Sequence, residues 1–240
     1  MAKSQALHAN LASSNGKEDL RQHYKDLIAK GLDASLVELV VTDMLEAYKE
    51  VITELFPNAL HQYCIFHFIQ HINKLFKEAL KVHRQANFAQ GERKEAHLIA
   101  LLMLKGQEHL NDQERIAVLD FCEQHPSMAA NYALKEDIRF LYANAQSREQ
   151  AYAYKDIIIE LYSTCISSKM NATITFLNTN FEHSIAYLKN GYFLDKTNND
   201  AERMMRTIKR TQQTHYFLRN ENNYIKKIRV VLGIQIPIAA

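Results

Sequence analysis

The chain has 240 residues, 47% hydrophobic and 23% charged, with a net charge of +2, which is typical of a folded soluble protein with one large or two small domains. It contains no run of about 18 apolar residues and no apolar segment near its start, so neither a membrane span nor a secretory signal is expected. Three scattered cysteines form no disulfide pattern, and this favours a reducing cytoplasm.

The first quarter of the chain predicts a helix, a strand, a second helix and a second strand. The first helix spans residues 17–30 and is closed by Gly31, because its apolar residues recur at helical spacing. The first strand spans residues 37–42, which are short, β-branched and mostly apolar. A helix over residues 44–55 and a second strand over residues 60–66 follow.

From His67 onward the sequence predicts helix after helix, because glycine and proline are rare. The predicted helices span residues 67–90, 92–105, 111–124, 129–145, 147–167 and 172–188. Asn111 and Ser147 offer N-caps, and Asn190-Gly191 is expected to end the last of these helices. Two strands do not form a stable sheet alone, so further strands are expected from outside the chain or from segments that the pattern did not reveal.

Two carboxylates stand at the ends of predicted elements. Asp43 directly follows the first strand, and Glu202 lies in Thr197-Asn198-Asn199-Asp200-Ala201-Glu202 at the start of a helix. Thr197 and Asp200 fit a capping box, which would fix this helix start and aim Glu202. Carboxylates held on rigid strand ends and helices are suited to bind hard divalent cations.

The residues after Glu202 are strongly basic. From residue 203 to the end there are eight basic residues and one acid, so this tail carries +7 and the preceding residues carry −5. Its first four basic side chains are Arg203, Arg206, Lys209 and Arg210. The asymmetry is compatible with a phosphate-binding surface and equally with a solvated helix face that happens to be basic.

Four motifs occur in an order that resembles the catalytic domain of bacterial insertion-sequence transposases and of the related Mutator-like elements. The motifs are Val41-Thr42-Asp43, Phe56-Pro57-Asn58-Ala59, the Cys64-x-x-His67 pair and the Thr-Asn-Asn-x-x-Glu helix start ending at Glu202. The resemblance covers roughly residues 35–220. It implies a DDE transposase that acts in DNA transposition and recombination.

The resemblance implies a helix-rich α/β protein with a partial RNase H-like fold. Residues 1–67 would form the first part of the RNase H-like core, residues 68–190 a helical insertion domain, and residues 191–240 the closing helices. Asp43 would be the second catalytic Asp of the family and Glu202 the catalytic Glu. Cys64, His67, Asn198 and Asn199 would belong to family motifs near the site.

The resemblance also implies a chemistry and its partners. Asp43 and Glu202 would bind Mg²⁺ or Mn²⁺, with two ions about 4 Å apart in an intact site, to drive cleavage and transfer of DNA strands. The four basic side chains after Glu202 would contact DNA phosphates with little sequence preference. The expected partners are transposon ends and target DNA, with a homo-oligomer as a possibility, in a bacterial cytoplasm near the nucleoid and with no membrane.

One family residue has no counterpart in the sequence pattern. The first catalytic Asp of the family lies on a strand, whereas Asp19 falls in the first predicted helix and Asp33 in a loop. We therefore expect an N-terminally incomplete transposase that is inactive as an isolated chain, because loss of one ligand removes most of the catalysis in such a unit. Enzymatic activity of this chain is left open.

Two alternatives use the same residues. A zinc site at Cys64 and His67 would need about four ligands, and no second such pair is present, so packing beside the active centre is the preferred role. The other alternative is a helical scaffold or nucleic-acid-binding protein without catalysis, whose basic helix engages nucleic acid or an acidic partner.

Overall fold

The structure is a computed structural model that describes residues 16–164, 166–189, 192–193, 196–214 and 221–231. The described residues are mostly helical, with a small parallel sheet, which agrees with the predicted helix-rich α/β class. The chain divides into two compact units, Met1–Cys64 with Asp195–Ala240 and Ile65–Leu194. None of the helices in the described ranges is long and apolar enough to cross a membrane.

The elements are numbered in chain order over the described residues. They are α1 (Lys17–Ala29), β1 (Leu39–Thr42), α2 (Glu46–Leu55), β2 (Leu60–Tyr63), α3 (Ile65–Asn87), α4 (Arg93–Leu104), α5 (Asp112–Gln124), α6 (Pro126–Asn144), α7 (Arg148–Tyr162), α8 (Ser168–Ser184), β3 (Leu188–Lys189), β4 (Tyr192–Phe193), α9 (Asn199–Thr214) and α10 (Glu221–Val231).

Helix α1 ends where the sequence predicts, at a glycine with left-handed backbone. Gly31 has a φ of 104°, a conformation that costs a side-chain-bearing residue energy, and its amide bonds the carbonyl of Ile28. The amide of Leu32 reaches back to the carbonyl of Leu27 at 3.1 Å, which completes the glycine-based helix stop.

Helix α1 packs on α2, and ion pairs join the two helices. Lys17 pairs with Glu50, and Arg21 pairs with Glu54 at 2.9 Å. The equal four-residue spacing of the two basic and the two acidic residues keeps both pairs on facing helix surfaces. Helix α2 in turn packs on β2 and buries its apolar face, including Val51 and Ile52.

Strands β1 and β2 form a two-stranded parallel sheet. Leu39 lies opposite Leu60, and Thr42 lies opposite Tyr63, so both strands end at the same edge. The second strand was predicted to continue to residue 66 but ends at Tyr63, because helix α3 already begins at Ile65. The apolar pair Ile65-Phe66 suits either a strand or a buried helix start, so periodicity could not place this boundary.

The second unit is a bundle of helices around α3. Helix α3 packs against α4, α6 and α8, and these elements contribute side chains with essentially no exposed surface. The core includes Phe68, Ile72, Phe76, Met103, Leu134, Ile138, Leu141, Met170 and Leu177. The prediction of successive helices in this region is confirmed, including the caps: Asn111 and Glu114 form a capping box, and Ser147 accepts from the amide of Gln150.

The end of this unit differs from the prediction. Helix α7 stops at Tyr162 rather than residue 167, and α8 stops at Ser184 rather than residue 188. Leu188–Lys189 instead pairs antiparallel with Tyr192–Phe193. Asn190-Gly191, which lies outside the described residues, was interpreted as the end of a helix, whereas the same dipeptide also favours a hairpin between strands.

Candidate functional site

Asp43 follows β1 directly and has an exposed side chain. Its Oδ1 accepts a hydrogen bond from the amide of Leu45, two residues further along the chain, at 3.3 Å. The carboxylate is therefore held against the backbone just before α2. The strand-end position predicted for Asp43 is therefore observed. Asp19 lies in α1, and Asp33 accepts the amide of Ser35 at the start of a short 3-10 turn, so neither lies on a strand.

Cys64 occupies the equivalent position on the neighbouring strand. Its amide donates to the carbonyl of Thr42 at 2.7 Å, which extends the parallel pairing by one residue and sets Asp43 and Cys64 side by side. Neighbouring strands are about 4.8 Å apart. The Cys64 thiol is free and fully buried. His67 lies in the first turn of α3, three residues after Cys64 in the chain.

Glu202 reaches the same end of the sheet from α9. One of its carboxylate oxygens lies within 4.8 Å of the Cys64 sulfur, although the two residues are far apart in the sequence. Glu202 is half-buried, whereas Asp43 is exposed and its carboxylate is outside this close group. The fold thus brings a helix-borne carboxylate to the strand that lies beside the Asp43 strand.

The start of α9 differs from the predicted capping box. The helix begins at Asn199, and the amide of Glu202 donates to the carbonyl of Asn198 at 3.0 Å, so Asn198 rather than Thr197 occupies the capping position. The side-chain Oδ1 of Asn198 is buried and has no hydrogen-bond partner among the described residues. Asn199 is exposed. The Thr197–Asp200 register was therefore wrong by one residue, and Glu202 still lies in the first turns of the helix.

The basic residues after Glu202 lie on an exposed helix. Arg203, Arg206, Lys209 and Arg210 are all exposed on α9. Positions 202, 206 and 209 follow the spacing of one helix face, so basic side chains continue from the carboxylate along the helix. Helix α9 packs against α10, which carries Lys226, Lys227 and Arg229.

Thr42 and His61 form a buried polar contact that the sequence pattern did not reveal. The Thr42 hydroxyl lies 2.8 Å from His61 Nε2 and donates to the carbonyl of Asp43 at 2.6 Å. Thr42 and His61 are both nearly inaccessible to solvent. A signal was available, since Thr42 is the polar residue that closes an apolar run immediately before Asp43.

The negative charge of Asp43 contributes to the raised pKa values of two tyrosines. Burial, and then the negative charge of Asp43, raise the pKa of Tyr48. Burial, followed by the charges of Tyr48 and Asp43, raises the pKa of Tyr24 above its usual range. The ring of Tyr24 packs edge to face against Phe56 at 5.2 Å. Both phenols therefore remain neutral hydrogen-bonding groups near the carboxylate at ordinary pH.

Cys122 of α5 is half-buried, and burial raises the pKa of its thiol.

Comparison with known proteins gives one finding. The family model of the ISL3 transposases, described as a transposase, matches residues 9–228. No curated protein and no solved structure matches significantly. The matched family is distinct from the Mutator-like elements, so that part of the resemblance drawn from the motifs was wrong.

Proposed function

Because the chain belongs to the ISL3 transposase family, we propose that it acts in DNA transposition through a metal-binding site formed by Asp43 and Glu202. The activity of the intact site would be cleavage and transfer of DNA strands. We assign residues 1–67 and 191–240 to a partial RNase H-like core and residues 68–190 to a helical insertion. The two-stranded parallel sheet and the mostly helical second unit are compatible with this division.

One observation supports the site more than any other. Asp43 and Cys64 leave neighbouring parallel strands at the same edge, and a Glu202 oxygen lies within 4.8 Å of the Cys64 sulfur. Glu202 therefore approaches, from a distant segment, the residue that lies beside Asp43 at this end of the sheet. Such convergence on rigid elements is what a metal site needs, because it fixes the ligands before the cation binds.

The donor atoms fit a divalent cation. Asp43 and Glu202 supply carboxylate oxygens, which Mg²⁺ and Mn²⁺ prefer, and both side chains retain exposed surface. A pair of such ions would activate the attacking oxygen and stabilise the leaving oxygen at phosphorus. Asp43 and Glu202 would hold the ions, while the Leu45 amide and the Thr42 carbonyl contact with Cys64 keep the strand ends in place.

Helix α9 would hold DNA beside this site. Arg206 and Lys209 share a helix face with Glu202, so phosphates bound along this face would lead toward the carboxylates. Arg203 and Arg210 extend the exposed basic surface. Contacts of this kind neutralise phosphates and position the backbone without reading sequence.

The isolated chain is proposed to bind metal and DNA with slow or absent strand cleavage. Among the described residues, Asp43 is the Asp that follows a strand of the parallel sheet, whereas Asp19 and Asp33 lie elsewhere. A third carboxylate would be needed for full activity. Transposon ends and target DNA would be the partners, with homo-oligomers on DNA near the bacterial nucleoid.

Metal binding distinguishes this proposal from a scaffold or nucleic-acid-binding protein without catalysis. Titration with Mn²⁺ should show binding to the wild type that the Asp43→Ala plus Glu202→Ala variant loses. A matched control removes two exposed carboxylates of α7, Asp156→Ala plus Glu160→Ala, and should bind Mn²⁺ like the wild type. Equal Mn²⁺ binding by all three proteins would overturn the metal site and leave the basic helix as the basis of a non-catalytic function.

A further inference from the structure

A buried polar contact sits immediately behind the proposed metal ligand Asp43. Thr42 lies at the end of β1, and His61 lies on β2 opposite Val40, two residues back on the same face of the sheet. Thr42 retains 5% of its exposure and His61 9%. A buried polar group costs about 1–3 kcal/mol if it lacks a partner, so the two side chains depend on each other.

The hydrogens of this contact can be assigned from the acceptors present. The Thr42 hydroxyl has one hydrogen, and it donates to the Asp43 carbonyl at 2.6 Å. The hydroxyl oxygen must therefore accept from His61 Nε2 at 2.8 Å, so Nε2 carries a hydrogen. The imidazole is also oriented by the ring of Tyr63, which meets it edge to face at 5.1 Å. The chain of donors runs from His61 through Thr42 to the main chain of Asp43.

This chain of bonds fixes the residue that the proposed function uses. The Asp43 carbonyl is held by the Thr42 hydroxyl, and the Asp43 carboxylate is held by the Leu45 amide at 3.3 Å. The Thr42 carbonyl is held by the Cys64 amide at 2.7 Å. Strands β1 and β2 have only four residues each, so few other bonds constrain their ends. The three hydrogen bonds therefore fix the position and direction of the Asp43 backbone that carries the carboxylate.

We infer that Thr42 and His61 are positioning residues for Asp43, which they orient for cation binding through the backbone without touching the cation. The inference rests on the proposed metal site. Apolar residues at positions 42 and 61 would satisfy the burial of this sheet equally well, whereas only a donor and acceptor pair can hold the Asp43 carbonyl. Outer partners that orient metal ligands typically contribute about 10–100-fold to metal affinity.

The test uses the full chain and Mn²⁺ as the probe. Thr42→Val keeps the shape and removes the hydroxyl, and it should weaken Mn²⁺ binding about ten-fold. Thr42→Ser restores the hydroxyl and should bind within about two-fold of the wild type. Thr173→Val is the matched control, because Thr173 is a fully buried threonine of α8 whose hydroxyl contacts the Met170 sulfur. It should leave Mn²⁺ affinity unchanged even where it lowers the melting temperature.

The outcomes separate this inference from the proposed function. If Asp43→Ala weakens Mn²⁺ binding and Thr42→Val does not, the positioning role is overturned and the metal site stands. If Asp43→Ala has no effect, the metal site fails and the positioning role fails with it. Should Thr42→Val give no cooperative melt, His61→Leu decides the question: lost Mn²⁺ affinity supports the role, and retained affinity overturns it.

Discussion

The Cys64 sulfur and a carboxylate oxygen of Glu202 lie within 4.8 Å of each other. Cys64 directly follows strand β2, and Glu202 lies in the first turns of α9. The contact therefore joins two segments that are distant in the chain. A soft sulfur donor beside a carboxylate has consequences for the metals that the site accepts.

We expect Cd²⁺ to compete with Mn²⁺ more strongly than it would at a site made of carboxylate oxygens alone, because Cd²⁺ also binds thiolate. Cys64→Ser should reduce Cd²⁺ affinity on the order of ten-fold while Mn²⁺ affinity changes little. The measurement is displacement of bound Mn²⁺ by Cd²⁺. Cys122→Ser, at a half-buried thiol of α5, is the control and should behave like the wild type. Equal Cd²⁺ competition in Cys64→Ser would exclude sulfur from the site.

The exposed basic face of α9 predicts weaker DNA binding when its charges are removed. Arg206→Ala or Lys209→Ala should lower affinity by a similar factor for DNA of any sequence, and each should reduce the salt dependence by about one phosphate contact. Fluorescence anisotropy at several salt concentrations measures both quantities. Lys25→Ala, at an exposed lysine of α1, serves as the control. Unchanged affinity in both α9 variants would exclude this face as the DNA contact.

Lys135 is a fully buried cation that joins α6 to the end of α4. Its Nζ donates to the carbonyls of Met103 and Lys105 at 2.6 and 2.7 Å and pairs with Glu136. Lys135→Met should destabilise the protein by about 3–5 kcal/mol, because it leaves Glu136 without this partner and orphans the two carbonyls. Urea unfolding gives the value, and Lys94→Met, at an exposed lysine of α4, should cost much less.

The same lysine gives a dependence on alkaline pH. Burial lowers the pKa of Lys135 below 10.5, its usual value, even though Glu136 opposes the shift. Between the lowered pKa and 10.5 the unfolded chain binds more protons than the folded chain, so wild-type stability rises with pH relative to Lys135→Met. Melting temperatures of the two proteins across this range measure the difference. A difference in melting temperature between the two proteins that stays constant across this pH range would contradict the lowered pKa of Lys135.

His83 predicts a loss of stability in mild acid. Its ring lies 4.7 Å from that of His125, and burial, followed by the charge of His125, lowers the His83 pKa below 6.5. The stability that neutral His83 contributes is complete above pH 6.5 and is lost as pH falls through the lowered pKa. His83→Phe should flatten the decline in urea-unfolding free energy between pH 7 and 5, whereas His109→Phe, at an exposed site, should not.

Two phenylalanines of α3 test the core of the second unit. Phe68 is fully buried, and its ring centroid lies 4.7 Å from Phe176 and 5.3 Å from Tyr142. Phe68→Ala should cost about 3–5 kcal/mol of unfolding free energy, because the cavity cannot fully collapse. Phe66 keeps 46% of its exposure, so Phe66→Ala should cost under about 1 kcal/mol. Similar losses in both variants would contradict the observed burial of α3.

Local patterns predicted the elements but missed several boundaries. Gly31 as a helix stop and the cap at Asn111 were confirmed, since each depends on the residues beside it. The end of β2 was wrong, because Ile65-Phe66 is apolar in either structure and packing of α3 decides between them. The antiparallel pairing of β3 with β4 was missed, because short strands carry too few residues for a period to be recognised.

The sequence by itself determined the helix-rich character of the chain, the strand end at Asp43, the helix start before Glu202 and the basic residues that follow. These features depend on composition and local spacing. Only the tertiary structure decided that β1 pairs parallel with β2, that Glu202 approaches Cys64 and that Thr42 bonds His61. Such contacts join segments that are distant in the chain. They form because burial of apolar surface and hydrogen bonding between distant residues stabilise the folded chain. A local sequence pattern contains no information on which distant residues meet.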